Sequence, residues 1–127
     1  MVYVMSVDSH LELDQVLELD ILEQYTQAIG GQALMGSVDL FAQQFPQYLA
    51  ELTAAFDAKD YQLTAEHGHK MKGAAGAIGL ARLSQWAQML QNRDYEQWLE
   101  EAPQVINYLS THYSGDIDKL RTYLSSC

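Results

Sequence analysis

The chain has 127 residues, 17 of them Asp or Glu and 7 Lys or Arg, for a formal charge of −10 and a pI near 4.5. At 48% hydrophobic residues, one domain of this size buries roughly two thirds of its unfolded surface and needs no disulfide or metal, and the single Cys127 has no partner within the chain. Such acidity speaks against a general nucleic-acid binder or an acidic membrane surface, Val2-Tyr3-Val4-Met5 is too short for a signal-peptide core, and no apolar run approaches about 18 residues, so a reducing cytoplasm is the expected compartment.

Apolar residues recur at steps of three and four almost throughout, which predicts an all-α fold. Residues 1–18 read as an N-terminal leader with acids at Asp8, Glu12, Asp14 and Glu18, and residues 19–127 as the helical domain. Ile21, Leu22, Tyr25 and Ile29 form a short first helix that Gly30-Gly31 stops. From Leu34 to Phe56 one apolar stripe predicts a long second helix, with a local bend rather than a break at Pro46. Lys59-Asp60 ends it and caps the next.

The third helix is predicted from about Tyr61 to Ile78, closed by Gly79, and is unusually rich in small residues: Gly68, Gly73, Ala74, Ala75, Gly76 and Ala77. Each glycine inside a helix costs roughly 0.5–1 kcal/mol relative to alanine, so helix stability has been given up for close approach of another surface. Leu80, Leu83, Trp86, Ala87 and Leu90 continue as a fourth helix to Asn92-Arg93-Asp94, and Trp98 to Leu124 as a fifth. Four long amphipathic helices with short connections predict an antiparallel four-helix bundle, the short N-terminal helix packing across one end.

The charge is unevenly spread. From His67 to Arg93 there is no acid, while Lys70, Lys72, Arg82 and Arg93 make this window +4 and leave the remainder at −14. This is either chance clustering in an Ala- and Gly-rich stretch or a positive island with a function. At about 100° per residue, with His69 at zero, Lys72 falls near −60°, Gly73 near +40° and Gly76 near −20°, while Leu63, His67, Met71, Ala74 and Ile78 lie between about 120° and 200°. The second group is the expected core stripe, so a histidine is displayed outward beside a lysine and two glycines. An exposed histidine usually does nothing particular. Here the glycines clear space for a second protein, and Lys72 sets positive charge where a phosphoryl group on the ring would be negative. Imidazole is a competent nucleophile near neutral pH and can carry a phosphoryl group covalently.

The run His69-Lys70-Met71-Lys72-Gly73-Ala74-Ala75-Gly76-Ala77-Ile78-Gly79-Leu80 resembles the His-x-hydrophobic-Lys-Gly motif of histidine-containing phosphotransfer (HPt) domains. The wider chain, over about residues 19–125, is similar to the branch that ends ArcB-type anaerobic hybrid sensor kinases. The resemblance implies a five-helix fold, His69 as the phosphorylated residue and Lys72 as its stabilising partner. It also implies that Gly73, with Gly76, keeps a receiver-docking face open; Lys70 and Arg82 of the positive window, with Glu66 as a screen against wrong partners, are expected to take part in that docking. The implied partners are receiver domains of a hybrid histidine kinase and of a response regulator. No cofactor or metal is expected on this chain, Mg²⁺ belonging to the receiver. As a separate chain it reads as a freestanding, monomeric intermediary, with Met71 replacing a branched aliphatic residue of the family.

Other readings fare worse. A histidine kinase would carry an acid after the phosphoacceptor, where this chain has Lys70, and a Gly-rich nucleotide loop. A di-metal carboxylate bundle needs a second Glu-x-x-His beside Glu66-x-x-His69. His67, about 160° from His69, reads as packed; His10 and His112 have no motif around them; and Met71, Met89, Trp86 and Trp98 read as core. A non-catalytic helical adaptor using the Gly-rich face would keep the glycines but gives no reason for His69 and Lys72 one turn apart.

Overall fold

The computed structural model describes residues 10–126; Val2-Tyr3-Val4-Met5 and Cys127 lie outside the described residues. Helices make up most of it, in the order α1 (Leu19–Ile29), α2 (Gly31–Asp57), α3 (Tyr61–Ala77), α4 (Ala81–Gln91) and α5 (Trp98–Ser125), and no strand occurs among the described residues. Their boundaries follow the punctuation of the sequence. Gly30 at φ +86 separates α1 from α2. Lys59 turns the chain at φ +61, and Asp60 Oδ1 accepts from the Leu63 amide at 3.1 Å, capping α3. α2 runs unbroken through Pro46.

Consecutive helices joined by such short turns pack antiparallel. α2 lies against α3 and α5, α3 against α4, and α4 against α5, which closes a four-helix ring, while α1 rests on α2. Phe45, Leu52, Met71, Leu83, Trp86, Leu109 and Leu120 are fully buried along its axis. Buried indoles need an acceptor: Trp98 Nε1 donates to the Leu90 carbonyl at 2.9 Å and Trp86 Nε1 to that of Leu11 at 2.7 Å. Met71, Trp86 and Trp98 are thus core, with Met89 packed beside them.

Residues 10–18, expected as a leader ahead of the domain, are part of this packing. Leu11 and Val16 are buried in the core, and the Glu18 amide donates to the Gly79 carbonyl at 2.8 Å. Gly79 is required there twice over: its φ is +77, and a Cβ would lie 2.6 Å from Leu22 Cγ. The turn between α3 and α4 therefore accepts the side chain that anchors α1.

α3 is rolled relative to the expected stripe. The buried set is Thr64, Gly68, Met71 and Ala75, followed by Ile78, whereas Leu63 is 38% exposed and His67 and Ala74 are half-buried. On the wheel the core arc is centred near 230°, roughly 70° beyond the expected one. The cause is Gly68. A Cβ there would stand 2.9 Å from the Ala87 carbonyl oxygen and 3.1 Å from the Gln91 amide, so hydrogen in that place lets the α4 backbone close in and draws α3 toward it. Thr64 tolerates the buried side because its hydroxyl donates to the Asp60 carbonyl at 2.8 Å.

Candidate functional site

The roll leaves Glu66, His69, Lys70, Gly73 and Ala77 exposed along one side of α3. His69 stands near the middle of this strip. His67 is half-buried on the other side of the helix, and the geometry of α3 keeps two positions 200° apart from reaching one surface point. Glu66 accepts from Gln62 Nε2 at 3.4 Å, one turn earlier.

Two lysines flank His69 differently. Lys72, half-buried, lies toward α4, where Ser84 Oγ donates to its carbonyl at 3.1 Å and ties the two helices at that level. Lys70 lies toward α2, its Nζ 5.2 Å from the centroid of the Tyr48 ring. Neither forms an ion pair among the described residues, so both charges stand uncompensated beside the imidazole.

The glycines divide by role. Around Gly73 nothing lies within 4 Å of a would-be Cβ, so the space beside His69 is open. Gly76, expected to share that task, is half-buried and faces Ser84, whose Oγ would be 3.3 Å from its Cβ; it makes room for the α3–α4 contact and for a groove lined by Glu18, Ile21, Gly79 and Gln85. Gly68→Ala should lower stability by about 1–2 kcal/mol, overpacking against backbone outweighing the helix-propensity gain, whereas Gly73→Ala should raise it by about 0.5–1 kcal/mol. Urea midpoints at constant slope check both signs.

Arg82, expected beside Lys70 and Gly73, does not share the His69 strip. Its Nη2 reaches Asp116 Oδ1 at 2.6 Å and its Nε donates to Oδ2 at 3.2 Å, a bidentate pair with α5. Nη1 donates to the Leu13 carbonyl at 3.0 Å, and the guanidinium lies over the Trp86 ring at 5.2 Å. With the Asp116 side chain 2% exposed, Arg82 is a structural strut and its charge is spent inside. Sequence reasoning passed over Asp116, which lies 34 residues away on another helix, and Tyr48, one of many aromatic residues on an apolar stripe; neither carries a local signal.

His112 is half-buried against the core, and His10 is exposed at its edge. His112 lies beside Trp86 at 5.4 Å between ring centroids, and His10 Nε2 is 3.2 Å from Glu101 Oε1 at the rim of an apolar cavity of about 260 Å³ under Trp98, Met89 and Val105. That cavity shares no residue with the His69 strip. Among the described residues no three His, Cys, Asp or Glu side chains converge as metal ligands, and no described helix is long and apolar enough to cross a membrane.

Comparison with known proteins agrees with this arrangement. The family model described as "Hpt domain" matches residues 36–112, which include the whole His69 strip. The chain is 27% identical over 120 residues to the aerobic respiration control sensor protein ArcB of Escherichia coli K12, and equally to that of Shigella flexneri. The match takes in 94% of this chain but only 15% of each relative's length. Among solved structures, the histidine-containing phosphotransfer domain of Escherichia coli ArcB superposes with a TM-score of 0.85 at 29% identity, covering 87% of this chain and 94% of that one. A solution structure of the same ArcB domain gives 0.82 at 27% identity, over 93% and 94%. A closed helical bundle displaying one histidine on its third helix, matched by family model and by structure over most of its length, makes this chain a member of the Hpt domain family.

Proposed function

We propose that the chain is a phosphoryl carrier of a two-component phosphorelay, with His69 as the residue that is phosphorylated. The observation that supports the reading best is the placement of His69: exposed on α3, with open space over Gly73 and an uncompensated lysine on each flank. In the forward step the lone pair of His69 Nε2 attacks phosphorus in line. The N–P bond forms as the bond to the aspartyl oxygen breaks, and the aspartate leaves as carboxylate. The proton on Nδ1 stays on the ring or passes to water, and a second receiver aspartate reverses the step.

Lys72 would meet the charge on the phosphoryl oxygens. The strip offers cations and the single carboxylate of Glu66, so the Mg²⁺ of the reaction would be held by the receiver's own acids. We read the chain as a monomer, because its bundle closes its own core, working in the cytoplasm on receivers of a hybrid histidine kinase and of a response regulator. Those receivers carry acidic sites that suit a face bearing Lys70 and Lys72.

The test is transfer from a receiver domain charged with labelled acetyl phosphate. An acid-labile, base-stable label should move to this protein; failure across a panel of receivers would leave the adaptor reading in its place. Lys72→Ala should slow that transfer roughly 10- to 100-fold, less than the loss of an enclosed oxyanion-hole donor because the strip is open to water, with helicity by circular dichroism unchanged. A loss of helicity instead would make Lys72 a packing residue.

A further inference from the structure

Lys70 has a carboxylate within easy reach and does not use it. Glu66 lies one turn back on α3, in the favourable order for a helical Glu-to-Lys pair, yet it accepts from Gln62 instead. The Lys70 ammonium crosses to α2 and lies over the Tyr48 ring, 5.2 Å from its centroid. The ring is held in turn. Tyr48 is half-buried and packs on the core, and its hydroxyl donates to Gln44 Oε1 at 3.0 Å, one turn earlier on α2. The nearest acid along that face of α2, Glu51, accepts from Gln47 at 3.0 Å.

The difference between the two possible partners matters for recognition. A carboxylate would fix the ammonium and cancel its charge. An aromatic face fixes it through the ring quadrupole and leaves the whole positive charge available to a third group. Lys70 is thus a positioned cation without a counter-ion, on the opposite flank of His69 from Lys72.

From this geometry we infer that Tyr48 is a positioning residue for receiver recognition. It holds Lys70 where a receiver bearing an acidic side chain at the α2 edge of its docking surface will meet it, so the footprint extends from α3 onto α2. Receivers with an acid at that edge are favoured and those without one are not, which makes the Tyr48–Lys70 pair a selectivity element. The inference rests on the phosphotransfer reading and adds to it the side on which the partner is read.

The experiment compares two donors for the full chain: a receiver domain charged with acetyl phosphate, which must dock, and phosphoramidate, which need not. Transfer is measured against receiver concentration at several ionic strengths for wild type, Lys70→Gln, Tyr48→Leu, Tyr48→Phe and the double variant Tyr48→Leu/Lys70→Gln. In Lys70→Gln the receiver efficiency relative to phosphoramidate labelling should fall about three- to tenfold, through KM, with a flatter salt dependence. Tyr48→Leu should fall about two- to fivefold and add nothing once residue 70 is glutamine, and Tyr48→Phe should restore the wild-type ratio because the ring face is kept. An unchanged KM and salt slope in Lys70→Gln would overturn the inference, as would a Tyr48→Leu defect that persists in the double variant. Absence of any label on wild-type His69 from both donors would remove the phosphotransfer reading and this inference with it; normal labelling with unaffected variants removes this inference alone.

Discussion

Replacing His69 by glutamine is expected to abolish acceptance of phosphoryl groups from a charged receiver, to below about a thousandth of the wild-type rate, because a glutamine amide has no nucleophilic lone pair to form the bond to phosphorus. Glutamine matches the imidazole in bulk and polarity, and His69 is exposed with no hydrogen-bond partner to lose among the described residues, so stability should stay within about 0.5 kcal/mol of wild type. The informative control is His67→Gln. His67 is half-buried on the opposite side of α3, away from the surface that presents His69, and that variant should keep its transfer rate within about twofold. Gel-resolved label transfer from one charged receiver, run on both variants, separates the two histidines. Loss of transfer in His67→Gln with retention in His69→Gln would reverse the assignment.

The second large effect is on stability. Asp116 is 2% exposed and receives two bonds from Arg82, which also holds the chain segment ahead of α1 through the Leu13 carbonyl. Asp116→Ala leaves a guanidinium, itself 17% exposed, without its anion, and Arg82→Ala leaves a buried carboxylate without a cation. Removing one partner of such a pair costs about 3–5 kcal/mol, a large part of the roughly 5–15 kcal/mol that holds a domain of this size. Urea unfolding should show the loss in each single variant. Arg82→Lys should recover little, since an ammonium cannot bridge Asp116, Leu13 and the Trp86 face at once. A double replacement by Met and Leu should be less harmful than either alanine. Arg82→Ala with stability within about 1 kcal/mol of wild type and slowed transfer would return Arg82 to the docking face.

The reasons some features were legible in the sequence, and others were not, can be seen in particular residues. α2 and α5 bury one face each, so the three-four recurrence from Leu34 to Phe56 and from Trp98 to Leu124 maps directly onto buried positions, and the bundle follows from it. His69 stood out because its neighbours in sequence, Lys72 and Gly73, are also its neighbours on the helix surface. Arg82 misled for the opposite reason. A charge window counts formal charges along the chain and is blind to a carboxylate on another helix. The roll of α3 was hidden because glycine carries no hydropathy: Gly68 is buried more deeply than Leu63, and only the approach of the Ala87 carbonyl explains it. Residues 10–18 looked like a leader because their acids alternate with apolar side chains. They are anchored by the buried Leu11 and Val16 side chains and also by backbone, through the Leu11, Leu13 and Val16 carbonyls, and the second kind of anchor leaves no side-chain pattern.

Phosphorylation of His69 at Nε2 can be read at the atom concerned. Two-dimensional proton–nitrogen spectra of the imidazoles, recorded with phosphorus coupling on the protein labelled from a charged receiver, distinguish phosphorylated Nε2 from Nδ1 and one histidine from another. A single phosphorus-coupled ring nitrogen is expected, Nε2 of His69, with the rings of His10, His67 and His112 unchanged. Coupling at His67, or at no histidine at all in protein that carries the label, would contradict it.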